Sequence, residues 1–365
     1  MKRLIRRHPL LSIHAVLTAA AALLLAIFRL SEPFSEGFAV TAGAFFRRGL
    51  AVLTGWFPFS LFEIVLAGFV LFVLFDLGLC VFALARRLKK KKAPRRLAAC
   101  LWAVPVILGT VLQLFALTLG PCYFRSPVAK HMDLAVDSVT GEDVFRALEA
   151  VSDVLNEVSP LLEKNEAGET AGKPLAAVRD DVARAADAFA EKNDFFQRGG
   201  AAVKTFLSSP LMTYTHLSGV YGFFTGEANV NVNYPHFIVT ATAAHETCHA
   251  RGVAPENECN FLAAVILLES GDPYLRYCGA AFIFDDLAAA CRKTDRERAE
   301  AVLASTDGTV FRDYAAYSRF FEPYRQSPAA AVADSANAAY LRSLGQKDGT
   351  VSYSRIIELV AAYFR

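Results

Sequence analysis

Three long apolar stretches in the first third of the chain constrain its fold more than any other feature. They lie at residues 10–28, 61–84 and 97–119, and each can cross roughly 30 Å of hydrocarbon as an α-helix. Hydrophobic residues make up 54% of the chain, which is high for a soluble domain. A cleaved signal peptide is a weaker interpretation of the first stretch, because two more follow. The sequence therefore predicts a membrane domain, residues 1–120, with three transmembrane helices.

The distribution of lysine and arginine predicts the orientation of these helices. Four basic residues lie among the first seven, and eight more lie between the second and third apolar stretches, in residues 86–96. Because cytoplasmic loops are enriched in lysine and arginine, both segments should face the cytoplasm. The N-terminus is then cytoplasmic in this multi-pass cell-membrane protein, and residues 121–365 form an extracytoplasmic domain. Membrane lipid is an expected partner.

Charge separates the two predicted domains. Residues 1–120 contain 15 basic and 4 acidic residues, whereas residues 121–365 contain 23 basic and 32 acidic ones. The total of +2 thus hides an acidic C-terminal domain. Such a domain lacks the basic surface that nucleic-acid phosphates require, so we expect no nucleic-acid partner. The seven cysteines show no paired spacing and do not predict a disulfide framework.

The chemistry of the C-terminal domain is indicated by the segment His245-Glu246-Thr247-Cys248-His249. On an α-helix, residues four apart share a face, so His245 and His249 can bind one metal ion. Glu246 lies beside the first histidine and can act as a general base toward a metal-bound water. The alternative is a buried helix with two structural histidines, and the residues that follow weaken it. The pattern predicts a Zn²⁺ site.

A zinc ion held by two histidines needs a third protein ligand. Gly252 can end the motif helix, and Pro255 suits the first turn of the next one. Glu256 and Glu258 lie in that turn but point about 200° apart, so only one of them can face the metal. We favour Glu256, because it shares a face with Asn260, a residue able to orient a metal ligand. Glu258 remains the alternative.

The rest of the C-terminal domain is predicted to be mainly helical. Periodic apolar residues favour amphipathic helices, and a helically spaced aromatic stripe over residues 311–324 is typical of a core. The fold class is therefore mainly α with a small β element. Helices are expected near residues 141–162, 175–196, 261–269, 274–291, 295–304 and 353–364.

Residues 228–234 alternate apolar and amide side chains, which predicts a strand. In zinc peptidases an edge strand beside the metal helix pairs with the substrate backbone. Asn229 and Asn231 are therefore candidate substrate-binding residues, although a purely structural strand is an equal alternative. The donor that would stabilise the oxyanion of a cleaved peptide is left open. Candidates for it are His216, Tyr221, Tyr234 and His236.

These segments together resemble a family of bacterial multi-pass membrane proteins identified as zincin-like, gluzincin-type metallopeptidases without a settled substrate. The resemblance covers the whole chain and implies a zincin-like fold, a zinc cofactor and peptide hydrolysis. It also implies that Glu256, the first acid of its segment, is the third ligand. The segments that carry it are the three apolar stretches, residues 226–231, His245-Glu246-x-x-His249-x-x-Gly252, Glu256-x-Glu258-x-Asn260-Phe261 and Tyr353-Ser354-Arg355.

Three classes of function are compatible with this sequence. The first is a membrane-anchored zinc metallopeptidase that acts on peptides or proteins outside the cytoplasm. The second is a non-catalytic zinc-binding receptor or scaffold, which would have no use for the general base Glu246. The third, a transporter component, depends on the single acid Asp76 within a span, which could instead bond Gln113. An intramembrane protease is disfavoured, because the motif helix is far along the chain from any span.

Overall fold

The computed structural model describes residues 9–88, 95–344 and 352–365. The basic residues predicted to orient the chain at positions 2–7 and 89–92 lie outside these ranges. The described chain is mainly helical with one three-stranded sheet, which confirms the predicted fold class at that level. The elements are α1 (Pro9–Leu30), α2 (Glu32–Phe38), α3 (Ala44–Gly55), α4 (Leu61–Leu88), α5 (Arg95–Leu117), α6 (Val128–His131), α7 (Gly141–Val158), α8 (Leu175–Lys192), β1 (Val203–Thr205), α9 (Ser209–Met212), β2 (Gly219–Gly222), β3 (Glu227–Val230), α10 (His236–Ala250), α11 (Glu256–Leu268), α12 (Pro273–Thr294), α13 (Arg296–Ser305), α14 (Gly308–Phe321), α15 (Pro328–Ser343) and α16 (Ser352–Tyr363).

Two of the N-terminal helices, α1 and α4, are long and apolar enough to cross a membrane. Few of their residues are buried within the protein, unlike the core helices of the C-terminal domain. The third predicted span forms α5, but its described apolar part, Ala103–Leu117, is shorter than a span requires. The structure therefore has two candidate membrane helices among its described residues rather than the three that the sequence predicts.

Helix α5 packs against α1 through polar side chains. Gln113 donates a hydrogen bond to the Thr18 hydroxyl (2.9 Å), and His14 lies 3.2 Å from the Thr110 hydroxyl. The predicted bond between Asp76 and Gln113 is therefore wrong, because α1 engages the amide. One carboxylate oxygen of the buried Asp76 has no partner among the described residues.

Residues 31–60, which we term the connector, fold onto the C-terminal domain. They form α2, a π-helical turn and α3, and α3 buries Arg47 almost completely. The Arg47 guanidinium donates hydrogen bonds to the carbonyls of Thr118 and Ala39 and to the side-chain oxygen of Gln197, the carbonyl bonds and the amide bond each being 2.9 Å. A buried guanidinium without acceptors would be energetically costly, so these hydrogen bonds hold the connector against the C-terminal domain.

A second buried pair, Lys204 and Glu227, ties the sheet to the start of α4. The ammonium of Lys204 on β1 donates to Glu227 on β3 and to the Thr54 carbonyl (2.8 Å), which lies in the last turn of α3. The Glu227 carboxylate in turn accepts from the backbone N–H groups of Leu61 (3.1 Å) and Phe62 (2.7 Å). These are the first N–H groups of α4, where a carboxylate is favourable.

The core of the C-terminal domain lies between α7, α10, α11 and α12. Helix α7 begins at a capping box in which Thr140 and Asp143 bond each other's backbone, and it buries one apolar face. The aromatic stripe of α14 packs against this core through Tyr314, Tyr317 and Phe320, as predicted. Helices α10 and α11 are thus held from all sides, so their facing side chains are fixed in place.

The sheet differs from the predicted strand in length and position. Its order is β1-β3-β2, with β1 parallel and β2 antiparallel to β3. Strand β3 ends at Val230, so the prediction of a strand over residues 228–234 is wrong for its second half. It is also the central strand, which leaves it no free edge for a substrate. The edge nearest the motif helix belongs to β2.

Candidate metal centre

Helix α10 carries both predicted histidines through the middle of the domain. Ala241, Ala243 and Ala244 are buried, and their small side chains allow α11 and α12 to pack closely against it. The helix dictates the spacing of His245 and His249, whose imidazole rings lie on the same face with centroids 4.8 Å apart. Both rings are largely shielded from solvent, with 13% and 7% of their side-chain surface exposed.

The turn after α10 brings the next helix back toward the histidines. The N–H of Val253 donates to the Cys248 carbonyl and that of Gly252 to the His249 carbonyl, both at 3.1 Å, which is the hydrogen-bond pattern of a Schellman motif. Gly252 has φ = +96°, and a Cβ there would lie 2.7 Å from the Arg47 guanidinium. Only glycine suits this position, as the sequence predicts. Helix α11 then starts at Glu256, directly beside the motif.

Three ligand atoms converge at this point, and we term His245, His249 and Glu256 the metal-site cluster. His245 Nε2 lies 3.1 Å from His249 Nε2 and 3.2 Å from one Glu256 oxygen, and the other oxygen is 3.7 Å from His249 Nε2. Ligands of a tetrahedral zinc ion, each about 2.0–2.1 Å from it, lie roughly 3.3 Å from one another. The spacing of the two nitrogens, and of each from its nearer Glu256 oxygen, is close to that value, and one ligand atom from each of the three residues lies within 4.8 Å of the others. Glu256 remains 35% exposed, so the cluster is open on one side.

The other ring nitrogen of each histidine meets an acceptor. His245 Nδ1 lies 2.7 Å from the Asn260 side-chain oxygen, and His249 Nδ1 lies 3.0 Å from the Val253 carbonyl. A proton on each Nδ1 satisfies these contacts and leaves both Nε2 lone pairs directed at one point. Two lone pairs 3.1 Å apart repel each other unless a cation or proton lies between them. The predicted orienting residue Asn260 thus contacts His245.

The charges of the metal-site cluster also favour a cation. Burial alone would raise the pKa of the Glu256 carboxyl, but the two histidines hold it far below its usual range. Burial lowers the pKa of His249, but the Glu256 carboxylate outweighs it and raises that pKa to about 9. Protons and metal ions compete for the same nitrogen, so a carboxylate that attracts the one attracts the other.

Glu246 lies next to the cluster and is buried. Burial raises the pKa of its carboxyl to about 7, although His245 and His249 oppose this rise. One of its oxygens, Oε2, has no hydrogen-bond partner among the described residues. The other side of the carboxylate faces β2, where a Cβ on Gly219 would come within 2.5 Å of Oε1. Gly219, which sequence analysis did not identify, thus makes room for this side chain.

The alternative ligand Glu258 lies apart from the cluster. Its carboxylate accepts a hydrogen bond from the Val128 N–H (3.2 Å), and burial raises its pKa to about 7 despite the backbone bond and the nearby Arg125. The direction of its side chain follows from the helical offset of two residues from Glu256. The structure thus brings Glu256, and not Glu258, to the histidines.

Three of the candidate oxyanion donors lie outside the cluster. His216 has φ = +59° and its Nε2 is 2.7 Å from the Tyr324 carbonyl. His236 lies at the start of α10 and contacts the Tyr274 hydroxyl. Tyr234 packs in the aromatic stripe of α14, and its hydroxyl is buried without a described partner. None of these contacts involves a cluster residue.

The remaining candidates support the scaffold. Asn229 donates to the carbonyls of Val220 and Glu227, and Asn231 donates to the Thr213 hydroxyl and the Leu217 carbonyl. Both asparagines are fully buried and bond the scaffold, so the structure does not expose them to a substrate. Tyr221 on β2 lies closer to the chemistry: its ring stacks on His249, with centroids 6.3 Å apart.

The cluster lies at the end of α5, which sequence analysis did not foresee. Phe115 in the last turns of α5 contacts Phe223 (5.3 Å between centroids), Tyr123 and Tyr340 (6.2 Å each). Burial raises the pKa of Tyr340 to about 12, and the nearby Glu256 carboxylate adds to the rise. The pKa of Tyr123 is raised for the same two reasons, with Tyr340 contributing. The motif helix is therefore far from the apolar helices in sequence but not in space.

Comparison with known proteins gives one result for the chain as a whole. The family model described as "Protein of unknown function (DUF3810)" matches residues 43–361, which include α3, α4, α5 and the entire metal-site cluster. No curated protein and no solved structure matches the chain.

Proposed function

Because the chain belongs to the DUF3810 family, whose description names no activity, we propose from the site itself that it is a membrane-anchored zinc metallopeptidase. The zincin-type fold, the peptide substrate and the location outside the cytoplasm are parts of this proposal. The observation that carries it is the convergence of three ligand atoms beside a buried carboxylate, Glu246, one oxygen of which has no partner in the part of the chain that the structure describes. At a purely structural zinc site the nearby polar groups would all bind the metal or be hydrogen-bonded, and no general base would be needed.

Each residue has a distinct task in this mechanism. His245, His249 and Glu256 would hold the zinc ion, which supplies a Lewis acid that makes water acidic enough to ionise near neutral pH. Asn260 fixes the ring of His245. Glu246, buried beside the cluster with one oxygen unbonded among the described residues, would accept a proton from the attacking water and return it to the leaving amine.

The substrate backbone would lie along β2. This strand pairs only with β3 among the described strands, so no described strand occupies its outer edge. Gly219 and Val220 are half-buried, and Gly219 touches Glu246, so a peptide paired to this edge would pass directly by the base. Tyr123 and Tyr340 near Glu256 join Tyr221, whose ring stacks on His249, as candidate donors to the oxyanion.

The test compares three forms of the full chain in detergent: wild type, Glu246→Gln and Glu258→Gln. Metal analysis should find one zinc per chain in all three, whereas cleavage of a peptide library should be lost only in Glu246→Gln. Removing a general base typically costs 10²–10⁴-fold in rate. Cleavage by Glu246→Gln at the wild-type rate would refute this mechanism. Zinc without cleavage in the wild type would favour the non-catalytic receptor or scaffold.

The proposed topology has three membrane passes. The connector and residues 121–365 contact each other through Arg47, so both lie on one side of the bilayer. Helix α4 leads away from that side, and α5 must return to it, because Phe115 packs on Phe223. The apolar part of α5, Ala103–Leu117, is too short to span a membrane by itself, but the whole helix of 23 residues is roughly 34 Å long, which supports the third pass.

Thiol labelling in intact cells tests this topology. A cysteine in place of Lys164, in the C-terminal domain, should react with an impermeant reagent, and one in place of Lys90, between α4 and α5, should be protected. The reverse pattern would overturn the orientation, and reaction at both positions would overturn the three-pass arrangement.

A further inference from the structure

A group of large apolar side chains is exposed where the connector meets α4. Trp56 is 84% exposed and Phe57 42%, and across from them Leu207 is 78% and Leu211 71% exposed. We call these four residues the apolar patch. They come from two distant segments that pack together, because the Lys204 ammonium bonds the Thr54 and Phe59 carbonyls and thereby joins the two. Contiguous exposed apolar surface on a folded domain marks an interaction site.

The position of the apolar patch is fixed relative to α4. Glu63, in the first turn of α4, accepts hydrogen bonds from the backbone N–H groups of Leu207 (2.8 Å) and Ser208 (2.7 Å). Phe62 in the same turn contacts Phe206. The exposed leucines therefore lie at the same height as the end of an apolar helix of membrane-spanning length, which is where tryptophan and other apolar side chains meet the lipid headgroups.

The metal-site cluster lies near the same end of the molecule. The turn that precedes Glu256 is bonded to the connector side by Arg125, which donates to the Gly252 carbonyl (2.6 Å) and to Glu36 in α2. The last turns of α5 reach Tyr123 and Tyr340 beside Glu256. Strand β2 connects the metal-site cluster with the end of α5. Gly219 on this strand touches Glu246, and Phe223, just beyond the end of the strand, packs on Phe115 of α5.

We propose that the apolar patch rests in the outer interface of the bilayer and that the metal-site cluster consequently acts on polypeptides anchored in the same membrane, close to their point of exit. This inference rests on the proposed peptidase function for its substrate and on the apolar patch for its position. A substrate anchored in the same bilayer is confined to the layer beside which the cluster lies, so its effective concentration there is high. A free peptide gains no such advantage.

Fluorescence quenching tests the position without any need for activity. The chain has two tryptophans, so Trp56→Phe/Trp102→Phe provides a silent background for the full chain in phosphatidylcholine vesicles with brominated acyl chains. Leu211→Trp and, independently, Leu207→Trp should be quenched several-fold more than Leu161→Trp. Leu161 is a matched control, because it is 65% exposed but lies at the end of α7, among contacts with α12.

Equal quenching at Leu211 and Leu161 would overturn the inference. So would quenching that depends on protein density and not on bromine, because a second copy of the chain would then cover the apolar patch.

Cleavage assays test the substrate class. One peptide that the enzyme cleaves is presented either free or fused to a transmembrane anchor in the same vesicles, at equal total concentration. The anchored form should be cut at least about tenfold faster, a threshold set below the roughly 10²–10⁴-fold gain that tethering can give. A free peptide cut as fast as the anchored one would overturn the inference while leaving the peptidase intact. If zinc binds but neither form is cut, the proposed function fails, and the quenching result still decides the position of the apolar patch.

Discussion

The metal-site cluster and the Lys204–Glu227 pair both bury ionisable side chains, but they use them differently. At the pair, the ammonium has three acceptors and the carboxylate receives two backbone N–H groups besides. At the cluster, the Nε2 atoms of His245 and His249 lie 3.1 Å apart, and the Glu256 carboxylate lies 3.2 Å from the first of them. One oxygen of the adjacent Glu246 has no partner among the described residues.

This difference separates a structural site from one that awaits a ligand. Buried polar groups are almost always satisfied, because each unsatisfied one costs about 1–3 kcal/mol. A fully bonded pair such as Lys204–Glu227 therefore needs nothing further and serves to hold α4 against the sheet. A convergent set of nitrogen and carboxylate groups is stable only with a proton or a cation between its members. The contrast predicts that variants at the first site change stability, and variants at the second change binding.

The largest expected effect is at the motif histidines. His245→Ala and His249→Ala should each abolish stoichiometric zinc binding, since two remaining protein ligands hold Zn²⁺ poorly. Zinc per chain, measured by atomic absorption after dialysis, checks this. His216→Ala is the control, because that imidazole bonds only the Tyr324 carbonyl among the polar groups described. One zinc per chain in both motif variants would contradict the whole assignment.

The next effect separates the two acids of α11. Glu256→Gln should weaken zinc affinity by orders of magnitude, because a neutral amide is a poor substitute for a carboxylate ligand. Glu258→Gln should retain zinc, since its carboxylate bonds Val128 and not the histidines. Competition with a chelator measures both affinities. Loss of zinc from Glu258→Gln alone would reassign the third ligand and leave the histidines in place.

At the structural pair, the expected effect is on folding. Lys204→Met removes one partner of a buried pair and should destabilise the protein by about 3–5 kcal/mol, because Glu227 is left as an uncompensated charge. Thermal unfolding in detergent measures this. The double variant Lys204→Met/Glu227→Gln should recover part of the loss. A zinc affinity that falls in parallel with stability would show that the two regions are not independent.

The smallest effect is expected at Asn260. Asn260→Ala removes the acceptor that orients His245 and should weaken zinc binding by about 10–100-fold, the usual range for such supporting contacts. Asn260→Asp keeps an oxygen in place and should restore most of the affinity. If both variants bind zinc like the wild type, the contact with His245 is incidental.

Sequence patterns predicted correctly those features that depend on neighbouring residues of a single helix. The i and i+4 spacing predicted that His245 and His249 share a face, and the offset along α11 separated Glu256 from Glu258. Glu256 was favoured because Asn260 shares its face of α11 and could orient a metal ligand. In the structure the ligand that Asn260 contacts is His245. The helices of the core were predicted from the spacing of apolar residues for the same reason, because that spacing depends only on the residues of a single helix.

What the sequence could not predict depends on pairing between distant segments. The alternation over residues 228–234 indicated a strand but not its neighbours, so a central, buried strand was mistaken for an edge. Gly219 is one glycine among 22, and only the fold shows that it faces Glu246. Likewise Tyr123 and Tyr340 carry no motif, and chain distance from the apolar helices concealed that the cluster lies beside Phe115.

The glycine turn after α10 has a consequence for biosynthesis. Arg47, which packs on Gly252, leaves the ribosome roughly 200 residues before that glycine does. Contacts between such distant segments form late in folding. In the proposed topology the connector has already been exported by then, so Arg47 can pack on this turn only after the C-terminal domain has followed it across the membrane.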